Sequence, residues 1–395
     1  MKFNQWTLAL ASVGIVSLGS VAQAEEQHSL MTALSSTTIS GYVDTSASWW
    51  AGTQNRGGAL NLGLPGRTFD GANKQDGFNL NAVKLVLEKP LGDATTWSAG
   101  YKADLVFGPD ADYYASRNTI TGTINRDNFS VKQAYVALRA PVGNGLDLKL
   151  GVWDTVIGYE FFEAGSNPNY SRSYGYALEP THHTGLLASY KISDMFSISG
   201  GIANAYTGAV NDRPMTESKK TYLAAITVTL PESAGAMKNS VISVGYVGGQ
   251  NGAAPTFAPA NPHDTRSYYA GITLNTPLEG LQVGAAWDYR QDAAGLTANN
   301  VNDAYAVALY ASYGMDKWKL NLRGDYVQGT SGTFYATPGD RNELLSITGD
   351  LDYSLWENVL TRLEVRYDRA LSGDRPFGIS QEQAVTVALN AIYKF

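Results

Sequence analysis

Residues 383–395 read QAVTVALNAIYKF. Taken two at a time, Val385, Val387, Leu389, Ala391, Tyr393 and Phe395 fall on one face. Ala384, Thr386, Ala388, Asn390, Ile392 and Lys394 fall on the other. A strand sends successive side chains to opposite faces, so this segment has one greasy face and one of mostly small or polar residues. Such alternation constrains a chain strongly, because a helix cannot use it. By itself it also suits the last strand of an ordinary sandwich.

The same pattern repeats through the chain. Sixteen stretches of roughly ten residues alternate with period two: 37–50, 78–89, 95–107, 129–140, 145–156, 182–191, 195–205, 219–230, 240–248, 265–275, 280–290, 303–313, 317–328, 343–354, 359–369 and 383–395. Their connections alternate long and short. Residues 51–77, 108–128 and 157–181 are long; Pro90-Leu91-Gly92-Asp93, Pro141-Val142-Gly143-Asn144 and Ser193-Asp194 are short. A soluble sandwich has no reason to sort its loops by parity, whereas a transmembrane barrel has short turns at one end and long loops at the other.

The faces agree with that architecture. Trp318, Leu320, Leu322 and Tyr326 oppose Lys319, Asn321, Arg323 and Asp325. Leu281, Val283, Ala285, Trp287 and Tyr289 oppose Gln282, Asp288 and Arg290. Hydrocarbon offers no water to an open sheet edge, so spanning strands must close on themselves. The fold expected is an all-β, antiparallel, up-and-down transmembrane β-barrel of about 16 strands, wide enough for an aqueous interior. Charged residues make up 16% of the chain, against about a quarter in soluble proteins. A net charge of −7 without basic runs argues against nucleic acid as a partner, and the lack of cysteine excludes disulfides and thiolate metal sites.

Residues 1–24 read as an export signal: Lys2, an apolar core at 8–16, and Ala22-Gln23-Ala24 as the cleavage site. The apolar run is too short for a membrane span. A short polar segment, 25–36, leads into the barrel domain, 37–395.

Several segments are also familiar. Lys132-Gln133-Ala134-Tyr135-Val136-Ala137-Leu138 leads into GLDLKLGVWDTVIGYE at 145–160, then Asn167-Pro168-Asn169-Tyr170-Ser171-Arg172-Ser173-Tyr174-Gly175 and Glu179-Pro180-Thr181-His182-His183-Thr184-Gly185. Near the end come Glu357-Asn358-Val359-Leu360 and Arg362-Leu363-Glu364-Val365-Arg366-Tyr367-Asp368. These resemble the OmpL-like outer-membrane β-barrel porin family over 37–395. The terminal strand closing on Phe395 resembles the C-terminal signal of bacterial outer-membrane barrels. The resemblance implies a porin in the outer membrane of a Gram-negative-type bacterium, and implies nothing about the solute.

Candidate site residues come from the chain itself. The third long connection, 157–181, holds Glu160, Glu163, Arg172 and Glu179. Folded inward, Glu160 and Glu163 would bring negative charge to a constriction; left outside, they would be solvated loop charges. Lys84, Lys102, Arg362, Arg366 and Lys394 lie on the lumen faces of strands that closure makes neighbours, interleaved with Glu88, Asp104, Glu364 and Asp368. A basic wall facing an acidic loop would set a field across the pore. Alternatively these charges pair across strands and only keep the lumen wet. His182 and His183 point to opposite faces and do not suggest a metal site.

The expected function is passive diffusion of small hydrophilic solutes and ions through a water-filled channel, with no reaction, cofactor or metal. The partners expected are outer-membrane lipid and the solutes, with a homotrimer by analogy with other wide barrels. The alternatives are an outer-membrane hydrolase of the phospholipase type, or a channel specific for a sugar or an anion. The hydrolase would need a nucleophile grouped with histidine, which the strands do not offer.

Overall fold

A computed structural model describes residues 36–51, 64–70, 74, 76–114, 116–117, 124–125, 128–206, 210–214, 219–251, 264–292, 302–335, 341–377 and 381–395. The export signal expected at 1–24, and the polar segment except Ser36, lie outside them.

Sixteen strands form the barrel: β1 Thr38–Ala51, β2 Gly77–Lys89, β3 Ser98–Phe107, β4 Phe129–Ala140, β5 Leu146–Asp154, β6 His182–Lys191, β7 Phe196–Ala203 and β8 Thr221–Thr229, then β9 Val241–Gln250, β10 Asp264–Asn275, β11 Leu281–Asp292, β12 Asn302–Met315, β13 Trp318–Thr330, β14 Arg341–Trp356, β15 Val359–Ala370 and β16 Gln383–Lys394. Every expected strand is present, with its ends within three residues of the expectation. Each strand pairs antiparallel with its sequence neighbours, and β1 pairs with β16 to close the sheet. Thr45 lies opposite Ala391, and the backbones of Gly41 and Phe395 exchange hydrogen bonds of 2.9 and 3.0 Å. No backbone edge is therefore left to lipid.

Alternation along the strands sorts the residues as expected. On β13, Trp318, Leu320 and Leu322 are exposed on the outside, while Asn321, Arg323 and Asp325 are buried inside. Aromatic rings band the outer surface. Tyr246, Tyr268 and Tyr289 follow one another at 5.2 and 6.1 Å toward the long-loop end, and Trp318 meets Tyr353 at 4.3 Å toward the short-turn end. Such girdles sit where the hydrocarbon meets the headgroups. No helix among the described residues is long and apolar enough to cross a membrane.

Three register slips break the ladder, one of them between Ser354 and Trp356 at the short-turn end of β14, and the other two supply the lumen. The β1–β2 register slips between Asp44 and Thr45, leaving Asn81 as the extra residue of β2; its side chain points inward and donates to Asp44 at 2.8 Å. The β3–β4 register slips between Asp104 and Leu105, so Lys132 and the next residue, Gln133, are both buried inside. A bulge is the device that lets consecutive residues share one face.

Strand number alone predicts an aqueous interior. The structure fills part of it. One apolar cluster joins Trp153, Leu187, Leu223, Val247, Tyr269 and Tyr310 of the barrel to Val156, just before the third loop, and to Ile157 at its start. A second joins Trp50, Val327 and Leu344 to Tyr174 and Leu178 of the same loop. The loop thus packs against opposite sides of the barrel from within.

Candidate functional site

The third long loop, 157–181, enters the lumen at Ile157 and leaves it before His182. Gly158 has φ +122°, a backbone shape that favours glycine, and starts the inward turn. Asn167 then folds the loop on itself: its Oδ1 accepts from the Phe161 N–H at 2.8 Å and its Nδ2 donates to the Phe161 carbonyl at 2.7 Å. Between these turns the chain has no ladder of its own. Its buried N–H and C=O groups need partners, and leaving one unpaired costs about 1–3 kcal/mol.

The barrel wall provides them, sorted by sign. Its arginines donate to loop carbonyls. Arg362 reaches the Ala164 and Asn167 oxygens at 2.6 and 2.7 Å, Arg323 the Ser171 oxygen at 2.6 Å, and Arg366 the Arg172 oxygen at 2.5 Å. Its acids accept from loop N–H groups. Asp350 takes Tyr170, Glu364 takes Ser171 and Asp325 takes Tyr174, each at 3.0 Å. Wall charges that alternation puts in the lumen are thereby used to hold an irregular segment at membrane depth.

The loop acids are held by direct ion pairs. Glu160 pairs with Arg323 at 2.9 Å and accepts from the Ser173 N–H at 2.6 Å. Glu163 contacts Lys84 and lies 3.5 Å from Lys132. Lys84 also pairs with Asp104 at 2.9 Å. Burial would raise the Glu163 carboxyl, but Lys132 and Lys84 outweigh it and hold the group well below the usual carboxylate range. Glu179 is the opposite case. Burial first, then the hydrogen-bonded Asp288 carboxyl on β11, push it well above that range.

The expected basic wall is therefore corrected in one respect. Glu160 and Glu163 do not face Arg362 and Arg366 across open space. They touch Arg323, Lys84 and Lys132, while Arg362 and Arg366 are engaged by loop carbonyls and by Asp352 and Asp368 at 2.7 and 2.9 Å. Arg172 turns back into its own loop, donating to the Phe161 and Tyr170 carbonyls at 2.8 and 2.5 Å. Lys102 stands apart from this network, 3.7 Å from Glu88.

Lys132 escaped the sequence reading because the bulge hides it from a period-two rule. Tyr174 escaped because nothing local marks it; its hydroxyl donates to Asp368 at 2.6 Å, across 194 residues. The first and second long loops cover the third from the long-loop end. Phe69 meets Tyr113 and Phe162 at 4.9 and 5.4 Å, and Arg67 pairs with Asp368 at 2.8 Å. A cavity of about 140 Å³ remains between the third loop and β2–β5, lined by Lys84, Lys102, Lys132, Asp154, Glu163 and Glu179 among others, and partly open to solvent.

A family model described as "Putative beta-barrel porin-2, OmpL-like" matches residues 36–395. The chain belongs to this family. As an OmpL-like porin with a closed 16-stranded barrel, it forms a channel in the bacterial outer membrane. Similar solved structures include in-vitro folded OmpT of Vibrio cholerae in its trimer form, with TM-score 0.57 and 12% identity over 91% of this chain and 99% of that one. OprB of Pseudomonas putida matches with TM-score 0.56 and 11% identity over 93% and 96%. An anion-selective porin from Comamonas acidovorans matches with TM-score 0.55 and 12% identity over 91% and 99%. At such identities the likeness is one of fold. No curated protein matches the chain.

Proposed function

We propose that this OmpL-like porin passes small hydrophilic solutes and ions by diffusion, without covalent chemistry, through a passage narrowed by its third loop. The observation that carries this reading is the loop's anchoring. Arginines and acids from β13 to β15 hold its backbone inside the barrel, while Glu163 ties it to Lys84 on β2. A segment fixed on both sides narrows the lumen at constant width, as a filter for size requires. The cavity beside β2–β5 is the passage in this reading, with Lys84, Lys102 and Glu163 on its lining. In the same reading, Arg172, Arg362 and Arg366 hold the constriction in shape away from the solute, and Glu160, held by Arg323, borders the passage. Assembly as a homotrimer completes the proposal, by analogy with the trimer form of the Vibrio cholerae protein.

Planar bilayers test it. Purified protein should give stepwise, ohmic conductance of uniform unit size, and a bilayer that stays silent with folded protein present would refute it. An unheated sample should migrate as a trimer on a mild detergent gel; a monomer band alone would remove the assembly from the proposal.

A further inference from the structure

Below the third loop, toward the short turns, the lumen carries an excess of positive charge. Lys102 on β3 lies directly opposite Tyr135 on β4, and Lys149 on β5 holds its ammonium 4.8 Å from the centre of the Tyr135 ring. Two ammonium groups thus flank one tyrosine across three strands. On the far side of the closure seam, Lys394 reaches under the loop to 3.5 Å from the Gly165 carbonyl.

The acids of this half are largely spoken for. Asp147 is gripped by Arg139 through two bonds of 2.5 and 2.6 Å. Asp352 pairs with Arg362 at 2.7 Å and also lies opposite Lys319 in the sheet register. Glu88 stands 3.7 Å from Lys102 with its side chain 39% exposed, a distance and exposure at which water screens the pair. Lys102 thus has one loosely placed partner, and among the described residues no carboxylate forms an ion pair with Lys149; Asp104 and Asp154 act on the two from further off, but each is itself paired, with Lys84 and Lys132. The acids of the loop above offer no further balance, since Glu160 is taken by Arg323, and Glu163 by Lys84 and Lys132.

The facing wall is neutral and hydroxylated. Ser189 bonds Ser199 at 3.0 Å, Thr227 bonds Ser243 at 2.8 Å, and Thr273 donates to the Tyr159 hydroxyl at 3.2 Å. Hydroxyls such as these can donate to an anion without adding opposing charge.

We infer that the short-turn half of the lumen is an anion-gathering vestibule. Lys102 and Lys149 set its selectivity, and the channel favours small anions, oxyanions included, over cations. Low-dielectric walls focus the field of unbalanced lumen charges, and a solute in a narrow passage stays within about one Debye length, roughly 8 Å, of them. The inference rests on the channel reading above and adds the class of solute to it.

The test is the zero-current potential of the purified protein in a planar bilayer under an unequal salt gradient. With potassium chloride, and again with potassium phosphate, its sign should report anion over potassium. Lys102→Glu with Lys149→Glu should move the permeability ratio several-fold toward potassium, with the folded barrel confirmed by its heat-dependent gel mobility. Lys102→Gln with Lys149→Gln should move it less in the same direction, and serves if charge reversal prevents folding. Cation preference of the unaltered protein in either salt, or a potential unmoved by the glutamine pair, would overturn the vestibule alone. A bilayer silent in the presence of folded protein would overturn the channel reading together with it.

Discussion

Arg323 on β13 and Glu160 on the third loop form a 2.9 Å ion pair whose two side chains are sealed from water, 0% and 1% exposed. Arg323 also donates to the Ser171 carbonyl, so one guanidinium satisfies a loop acid and a loop backbone group together. Removing one partner of such a pair leaves a buried charge, at about 3–5 kcal/mol. Arg323→Ala should loosen the loop. The expected result is a larger and noisier unit conductance with a lower heat-denaturation midpoint. Unchanged conductance would mean that this pair does not set the loop's position.

Glu163 stands between Lys84 and Lys132. Glu163→Gln would leave Lys84 to Asp104 and Lys132 to Asp154 and remove one negative charge from the cavity lining, so the cation-to-anion permeability ratio should fall. The pH dependence has a defined sign. A carboxyl whose folded value is depressed stabilises the docked loop above its ordinary titration range, and loses that effect only as pH falls through the depressed value. Conductance should therefore not show Glu163 titrating between about pH 7 and pH 4. A step there that Glu163→Gln abolishes would contradict the arrangement.

Glu179 predicts the reverse trend. Burial and Asp288 raise its carboxyl, so the neutral form is the one that fits. Its contribution to docking is greatest at low pH and is lost as pH rises through the raised value. Channel noise should grow with alkalinity in the unaltered protein, and Glu179→Gln, which stays neutral, should flatten that rise. A variant that keeps the full pH response would assign it to another group.

Gly158 offers a backbone test. A Cβ there would lie 2.3 Å from Glu179 Oε2, and the φ of +122° is one that side chains rarely adopt. Gly158→Ala should cost about 1–3 kcal/mol of loop docking. It should raise unit conductance while leaving the barrel folded by gel mobility. A conductance equal to that of the unaltered protein would show that the turn tolerates the change.

Phe395 closes the seam by exchanging backbone hydrogen bonds with Gly41, and its ring lies where a Gly41 side chain would go. A ring over a strand glycine covers backbone that would otherwise face lipid. Removing Phe395 should lower the temperature at which the folded band disappears on unheated-versus-heated gels. An unchanged temperature would place the strength of the seam further up, between Thr45 and Ala51.

Much of the site was legible as types of residue and little as contacts. Lys84, Arg362 and Arg366 could be assigned to the lumen and to neighbouring strands, because period two and barrel closure suffice for that. That the arginines hold loop carbonyls, and that Lys132 joins them through a bulge, could not be read. A bulge leaves no periodic trace, and a carbonyl carries no sequence identity.

The sequence by itself determined the barrel: sixteen strands, their inner and outer faces, and the closing of residues 383–395 onto the first strand. Those follow from the alternation of side chains along a strand and from the lack of water in hydrocarbon, which act residue by residue. Only the tertiary structure decided that residues 157–181 cross the lumen and that the wall charges are spent on holding them. That outcome depends on partners such as Arg323 with Glu160, 163 residues apart, and Tyr174 with Asp368, 194 apart. Contacts at such separations are set by how the closed barrel brings its walls around the loop, and no local pattern encodes them.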